Sequence, residues 1–363
     1  MSGAARALVF FWGVLIVLTV GGLAALQALG PKSAPAPPVA GAAPAQIAPP
    51  QIAPVQAAPA RAAAPAPSTY AANNAAWPGP ALPQAGAPIA AAEPALLEPA
   101  HDFPGTMLPR IGPGQRLPMR AYAGGYDPAD TRPRIGFIIA GIGVTEDESE
   151  EAVRSVAPAI DLAVSPYTAR PQRLLDLIRA HGHEFLLGLP MEPQGYPQDD
   201  EGPQELLAAA PPAQNQLRLQ WVLSRIAGYA GVTGACEGLR GEHYAASPEL
   251  MGAVQDELAA RGLFYIDPRP GAAPPARVAG RSIDEVVDEP AVHTEIDAKL
   301  NHLEHLARSR GSALGLADLP RPVTVDEINA WAGRLAAHGI ALVPVSALVQ
   351  PAASAAAASA AAR

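Results

Sequence analysis

Glu192, Cys236, Glu237, Glu242, His243, Asp267, Arg269 and Asp318 are the side chains whose types and places could do chemistry. Each falls at or just past the end of a segment that reads as a β-strand. Glu237, His243 and Asp318 could offer one imidazole and two carboxylates to a divalent ion, although no ligand-spacing rule joins them. The others have plain structural alternatives. Glu192, between Pro190 and Pro193, can cap or brace its own loop. Asp267 and Arg269, two residues apart, can form an ion pair or contact a sugar. Cys236 is the one cysteine, so no intramolecular disulfide or cysteine-cluster zinc site exists. With no His at a partner spacing, it reads as a small buried residue rather than a nucleophile.

Three weaker signals deflate. His302 and His305 flank the apolar stripe Ile296, Leu300, Leu303 and Leu306 on one helix, which makes them its solvated edge. His181-Gly182-His183 marks a helix-to-strand turn. Gly141-Ile142-Gly143 lacks a third glycine, and Glu146-Asp147-Glu148 after it would repel phosphate.

Elements that must position the candidates begin at Arg134. The runs 135–140, 160–165, 184–189, 230–233, 263–266, 285–287, 313–316 and 340–345 read as strands, the first apolar throughout as a two-sided buried strand should be. Helical patterns over 146–156, 171–181, 214–226, 248–261, 292–310 and 324–337 alternate with them. Such alternation predicts a parallel sheet with helices outside. Seven or eight units in about 215 residues fit a closed or nearly closed βα barrel, in which chemistry sits at the C-terminal strand ends.

The rest of the 363-residue chain is built differently. Residues 7–29 carry no charge and are long enough for a bilayer core, so residues 1–30 are expected to be an uncleaved signal-anchor. That places a single pass in the inner membrane and the folded part in the periplasm. Of 42 prolines, 17 fall between Pro31 and Ala100, a window with four charged residues. Such a stretch buries too little apolar surface to offset its ordering entropy. Residues 31–133 are therefore expected to be a disordered Ala/Pro-rich linker, and 350–363 a disordered Ala-rich tail. The net charge of −9 excludes a protein built to coat nucleic acid.

Ser165-Pro166-Tyr167, Gly182-His183-Glu184, Leu189-Pro190-Met191-Glu192-Pro193, 260–267 and 339–346 stand in one order and spacing. Together they resemble the divergent polysaccharide deacetylase family over about residues 134–348. The resemblance implies a distorted, partly open seven- or eight-stranded βα barrel. It also implies a divalent metal such as zinc held by an Asp and imidazoles, a second Asp as base and a His as acid. At the matching positions this sequence has Ala140 and Gly141 for the Asp pair, Ala235 for one His, Gly188 for another, and Ala317-Asp318-Leu319 for a late Gly-His-Pro. The longer loop 234–246 is expected to fill the cleft. No cofactor is therefore expected. The expected function is a tethered, catalytically degenerate envelope protein that binds a glycan or an envelope protein. An active carbohydrate deacetylase with displaced metal ligands is one alternative, and a purely structural envelope protein another.

Overall fold

The computed structural model describes residues 84–352. The anchor segment, most of the linker and most of the Ala-rich tail lie outside them.

The described chain opens with an arm. A 3-10 turn at Pro94–Leu96 leads into an antiparallel hairpin, β1 (Leu97–Pro99) and β2 (Met107–Pro109). A short helix, α1 (Pro118–Ala121), follows. Then come β3 (Arg134–Ile142), α2 (Glu146–Ser155), β4 (Asp161–Val164), α3 (Pro171–Ala180) and β5 (Phe185–Gly188). The chain continues through α4 (Pro212–Leu223), β6 (Gly231–Thr233), α5 (Glu242–Ala245), α6 (Pro248–Ala260) and β7 (Phe264–Asp267). It ends with β8 (Gly280–Ser282), β9 (Glu285–Val286), α7 (His293–Arg310), β10 (Ser312–Ala317), α8 (Pro322–Leu335) and β11 (Ala341–Leu342).

Local chemistry explains the punctuation. Four of the six longer helices, α3, α4, α6 and α8, have Pro in their first turn, where its missing N–H is no loss; α2 and α7 start without one. The Ser247 hydroxyl caps α6 by accepting from Leu250 N at 3.4 Å. Gly311 ends α7 at φ +83°, a left-handed conformation that suits glycine.

All strands from β3 to β11 pair in parallel, in the order β8-β7-β6-β5-β4-β3-β10-β9. β11 pairs with the first two residues of β3, below β4 on the same edge. β8 and β9 form the two ends of this path, so the barrel is open between them. That corrects the closed alternative of the sequence reading. β8 was missed altogether: with the sequence Gly-Arg-Ser it has no apolar run to reveal it.

Strand residues alternate between two apolar layers. Phe137, Ile139, Leu162, Val164 and Leu187 face the helices, where Trp331 packs 5.7 Å from Phe137. Ile138, Ala140, Ala163, Leu186, Phe264, Ile266, Leu314 and Leu316 form a second layer. Leu96, Met119 and Tyr122 of the arm belong to this second layer. The arm therefore corrects the linker boundary: residues 84–133 are packed structure. Tyr122 is 2 % exposed, and its hydroxyl accepts from Glu93 N at 2.9 Å. Gly124 N donates to Glu184 at 2.8 Å, and Met119 N to Gly262 O at 3.1 Å.

Candidate functional site

The C-terminal strand ends carry a dense polar rim around a packed centre. The β3–β4 register breaks between Ile139 and Ile142, and Gly141 sits in the break at φ +68°. A Cβ on Gly141 would lie 2.4 Å from Leu319 Cδ2 and 3.1 Å from Asp318 O. Leu319 thus occupies the space beside the end of β3. A Cβ on Gly188, at the end of β5, would lie 3.2 Å from Ala235 O and 3.3 Å from Cys236 Sγ. The 234–246 loop therefore covers that strand end. Cys236 is buried, and burial pushes its thiol well above the ordinary range, which keeps it protonated.

Each candidate carboxylate has its own partner. Glu192 accepts from Ala208 N at 2.6 Å and lies 2.6 Å from His243 Nδ1. Its backbone carbonyl accepts from Tyr244 N at 3.0 Å, which pins α5 to the Pro-Met-Glu-Pro loop. Glu237 accepts from the Ser165 hydroxyl at 2.7 Å and holds φ +50°. A left-handed non-glycine residue costs about 1–2 kcal/mol, and this one lies on the rim of the barrel. Asp267 takes both Nε and Nη2 of Arg269, at 2.9 and 2.6 Å. Asp318 pairs with Arg240, which also reaches Glu289 at 3.0 Å and Glu242 at 3.4 Å.

Glu237, His243 and Asp318 are thus bonded to three different groups. Among the described residues no group of three or more His, Cys, Asp or Glu is placed to hold a metal ion. The donor set does not fit the divalent ion that the resemblance implies.

Sequence reasoning missed the acids behind the rim. Glu201 is 2 % exposed and accepts from Met191 N at 2.8 Å, while its Oε1 has no partner. Burial raises its carboxyl well above the usual range, and Glu205 rises to about 7 for the same reason. Asp318 is also pushed up to about 7: burial outweighs the attraction of Arg240, and Asp288 and Glu289 add repulsion. Asp288 accepts the backbone N–H groups of Asp318 and Leu319. Glu201 ends the acidic stretch Asp199-Asp200-Glu201 and Glu205 lies four residues beyond it, a signal that reads as a solvated loop.

A model of the family described as divergent polysaccharide deacetylase matches residues 137–349. The chain belongs to that family. Among solved structures, an uncharacterized protein, ATU2773, from Agrobacterium tumefaciens C58 is similar at 29% identity and a TM-score of 0.62. The match covers 67% of this chain and 100% of that one. The catalytic domain of a peptidoglycan N-acetylglucosamine deacetylase from Eubacterium rectale ATCC 33656 matches at 12% identity and a TM-score of 0.38, over 60% and 91% of the two chains. A search of curated proteins returns no match.

Proposed function

We propose that this divergent polysaccharide deacetylase family member acts by binding rather than by metal-dependent hydrolysis. Its ligand would be an envelope glycan or an envelope protein. The observation that carries this reading is Leu319 beside Gly141. The space next to the strand end that would hold the paired carboxylates is filled by a leucine side chain. The neighbouring acids are engaged by Arg240, Arg269, His243 and Ser165. The proposal includes the anchor at residues 7–29, with the folded part in the periplasm; among the described residues no helix is long and apolar enough to cross a membrane.

The alternative is deacetylation with displaced ligands, and one observation favours it. Asp318 has a carboxyl near 7 and one oxygen, Oδ1, without a partner. A group so poised could move a proton.

The deciding experiment measures zinc content and acetate release from N-acetylated glycans by the purified protein. No stoichiometric zinc and no release above background are expected, with retention on an envelope-glycan column or cross-linking to an envelope protein. Tight zinc binding, with release abolished by a chelator and by Glu237→Ala or Asp318→Ala, would overturn the proposal. Restoring one acid does not restore a site. Gly141→Asp forces a side chain at positive φ into Leu319, and is expected to cost about 2–4 kcal/mol by strain and overpacking with no gain in acetate release. Thermal melts and the acetate assay check both halves.

A further inference from the structure

A cavity lies between the arm and α3. It measures about 400 Å³ and is bounded by residues 91–92 and 105–107 of the arm, by one face of α3, and by residues 224–227 after α4. Pro171, Leu175 and Arg179 line it at four-residue spacing, the same face of one helix. Its volume is within the range of small-molecule sites, about 300–1,000 Å³.

Two arginines, Arg179 and Arg225, line this cavity, and none of its described lining residues is acidic. Arg179 is 6 % exposed. Its Nη2 donates to Ala227 O at 2.5 Å, its group packs 5.4 Å from the Phe185 ring centre, and its Nε has no partner. Among the described residues its one carboxylate contact is Asp176 at 3.5 Å, whose side chain is 61% exposed. Burial lowers the proton affinity of Arg179, the sign of a cation that lacks full compensation. Arg225 lies 4.9 Å over the Trp221 ring and donates weakly to Pro166 O at 3.4 Å. Among the described residues it forms no ion pair. Thr106, Gln172 and Ser224 add short polar side chains to the wall.

Gly228 shows that the position of Arg179 is built. At φ +87°, a Cβ there would come 2.7 Å from Arg179 Nη2. The chain leaves out a side chain at the point where this guanidinium rests. In a protein of net charge −9, most arginines near the barrel are neutralised by carboxylates. Among the described residues Arg225 pairs with none of them and Arg179 only with the exposed Asp176, so the two on one cavity call for an anion from outside.

We infer that this cavity binds a monosaccharide-sized ligand carrying a carboxylate or a phosphate, held by Arg179 and Arg225. Guanidinium forks match both oxyanions through charge-assisted paired hydrogen bonds. Because the arm supplies one wall, the site lies partly outside the family-matched residues 137–349. It is independent of the rim and of the function proposed for it.

Isothermal titration of the full chain with glucuronate, glucose 1-phosphate, glucose and glucosamine tests the assignment. At least one anionic sugar is expected to bind, more weakly as salt rises, while glucose and glucosamine do not. Binding of glucuronate alone assigns a carboxylate ligand, and of glucose 1-phosphate alone a phosphate. Arg225→Gln, an exposed position, is expected to weaken the anion at least tenfold with an unchanged melting temperature. Arg179→Gln, if folded, abolishes binding. The inference is overturned if neither anion binds, if glucose binds as well as they do, or if Arg225→Gln leaves the affinity intact.

Discussion

A chain starting at residue 134 is expected to lose its cooperative unfolding transition, whereas one starting at residue 84 keeps it. The arm supplies Leu96, Leu108, Met119 and Tyr122, all at most 4 % exposed. Burying each contributes about 1.5–3 kcal/mol, so the four together approach the 5–15 kcal/mol by which whole domains are stable. Polar losses add to this. Arg261, partly buried beside β7, would lose Glu98 and Pro109 O. Glu184, fully buried, would lose the Gly124 N–H. A buried acceptor left without a partner costs about 1–3 kcal/mol. Near-ultraviolet circular dichroism and thermal melts of the two truncations distinguish the outcomes. A sharp transition in the shorter chain would mean that the arm is only an appendage.

The same arm marks the limit of what was legible in the sequence. Its apolar residues come singly between prolines and glycines, with no period of 2 or 3.6, because they fill separate gaps rather than one face of an element. By contrast, 135–140 and the stripe of α7 bury continuous surfaces, and their patterns announce the parallel sheet and its helices. β8 escaped because a strand end at the open seam needs no apolar run. The rim was legible as a list of residue types, not as a set of partners. Nothing in the spacing of Glu192 and His243, or of Asp318 and Arg240, shows that they meet. Those pairings depend on how the 234–246 loop folds back over the strand ends. Leu319 drew attention only as part of a motif position, since its effect depends on the bare backbone of Gly141 across the seam of β3 and β10.

Stability is expected to fall as pH rises from 5 to 8, the reverse of a domain held together by surface ion pairs. Burial raises the carboxyls of Asp161, Glu201, Glu205, Asp288 and Asp318, those of Asp161 and Glu201 well above the ordinary range and those of Glu205 and Asp318 to about 7. A carboxyl raised in the folded state contributes stability that is complete below its unfolded value, near 4. That contribution disappears as pH rises through the folded value, here about 7 for Glu205 and Asp318. His183 acts in the opposite direction: burial lowers it, so its contribution fades below about 6.5. It is one imidazole against five carboxyls. A tenfold change in proton affinity of a buried group is worth about 1.4 kcal/mol, and each kcal/mol moves the melting temperature about 2–4 °C in a domain of this size. The melting temperature is therefore expected to drop by at least about 5 °C between pH 5 and pH 8. The double variant Glu205→Gln with Asp318→Asn removes two titrations while leaving oxygens for Glu201 N and Arg240. It should flatten the slope and melt higher than the wild type at pH 8. For Glu201, Glu205 and Asp318 the physical source is the packing at the mouth of the barrel, which withdraws them from water and favours the neutral form, a poor ligand for a cation; Asp161 is buried at the opposite end, at the start of β4. A melting temperature that stays level or rises over this range, or a double variant with the wild-type slope, would show that the acids remain ionised and the mouth open to water.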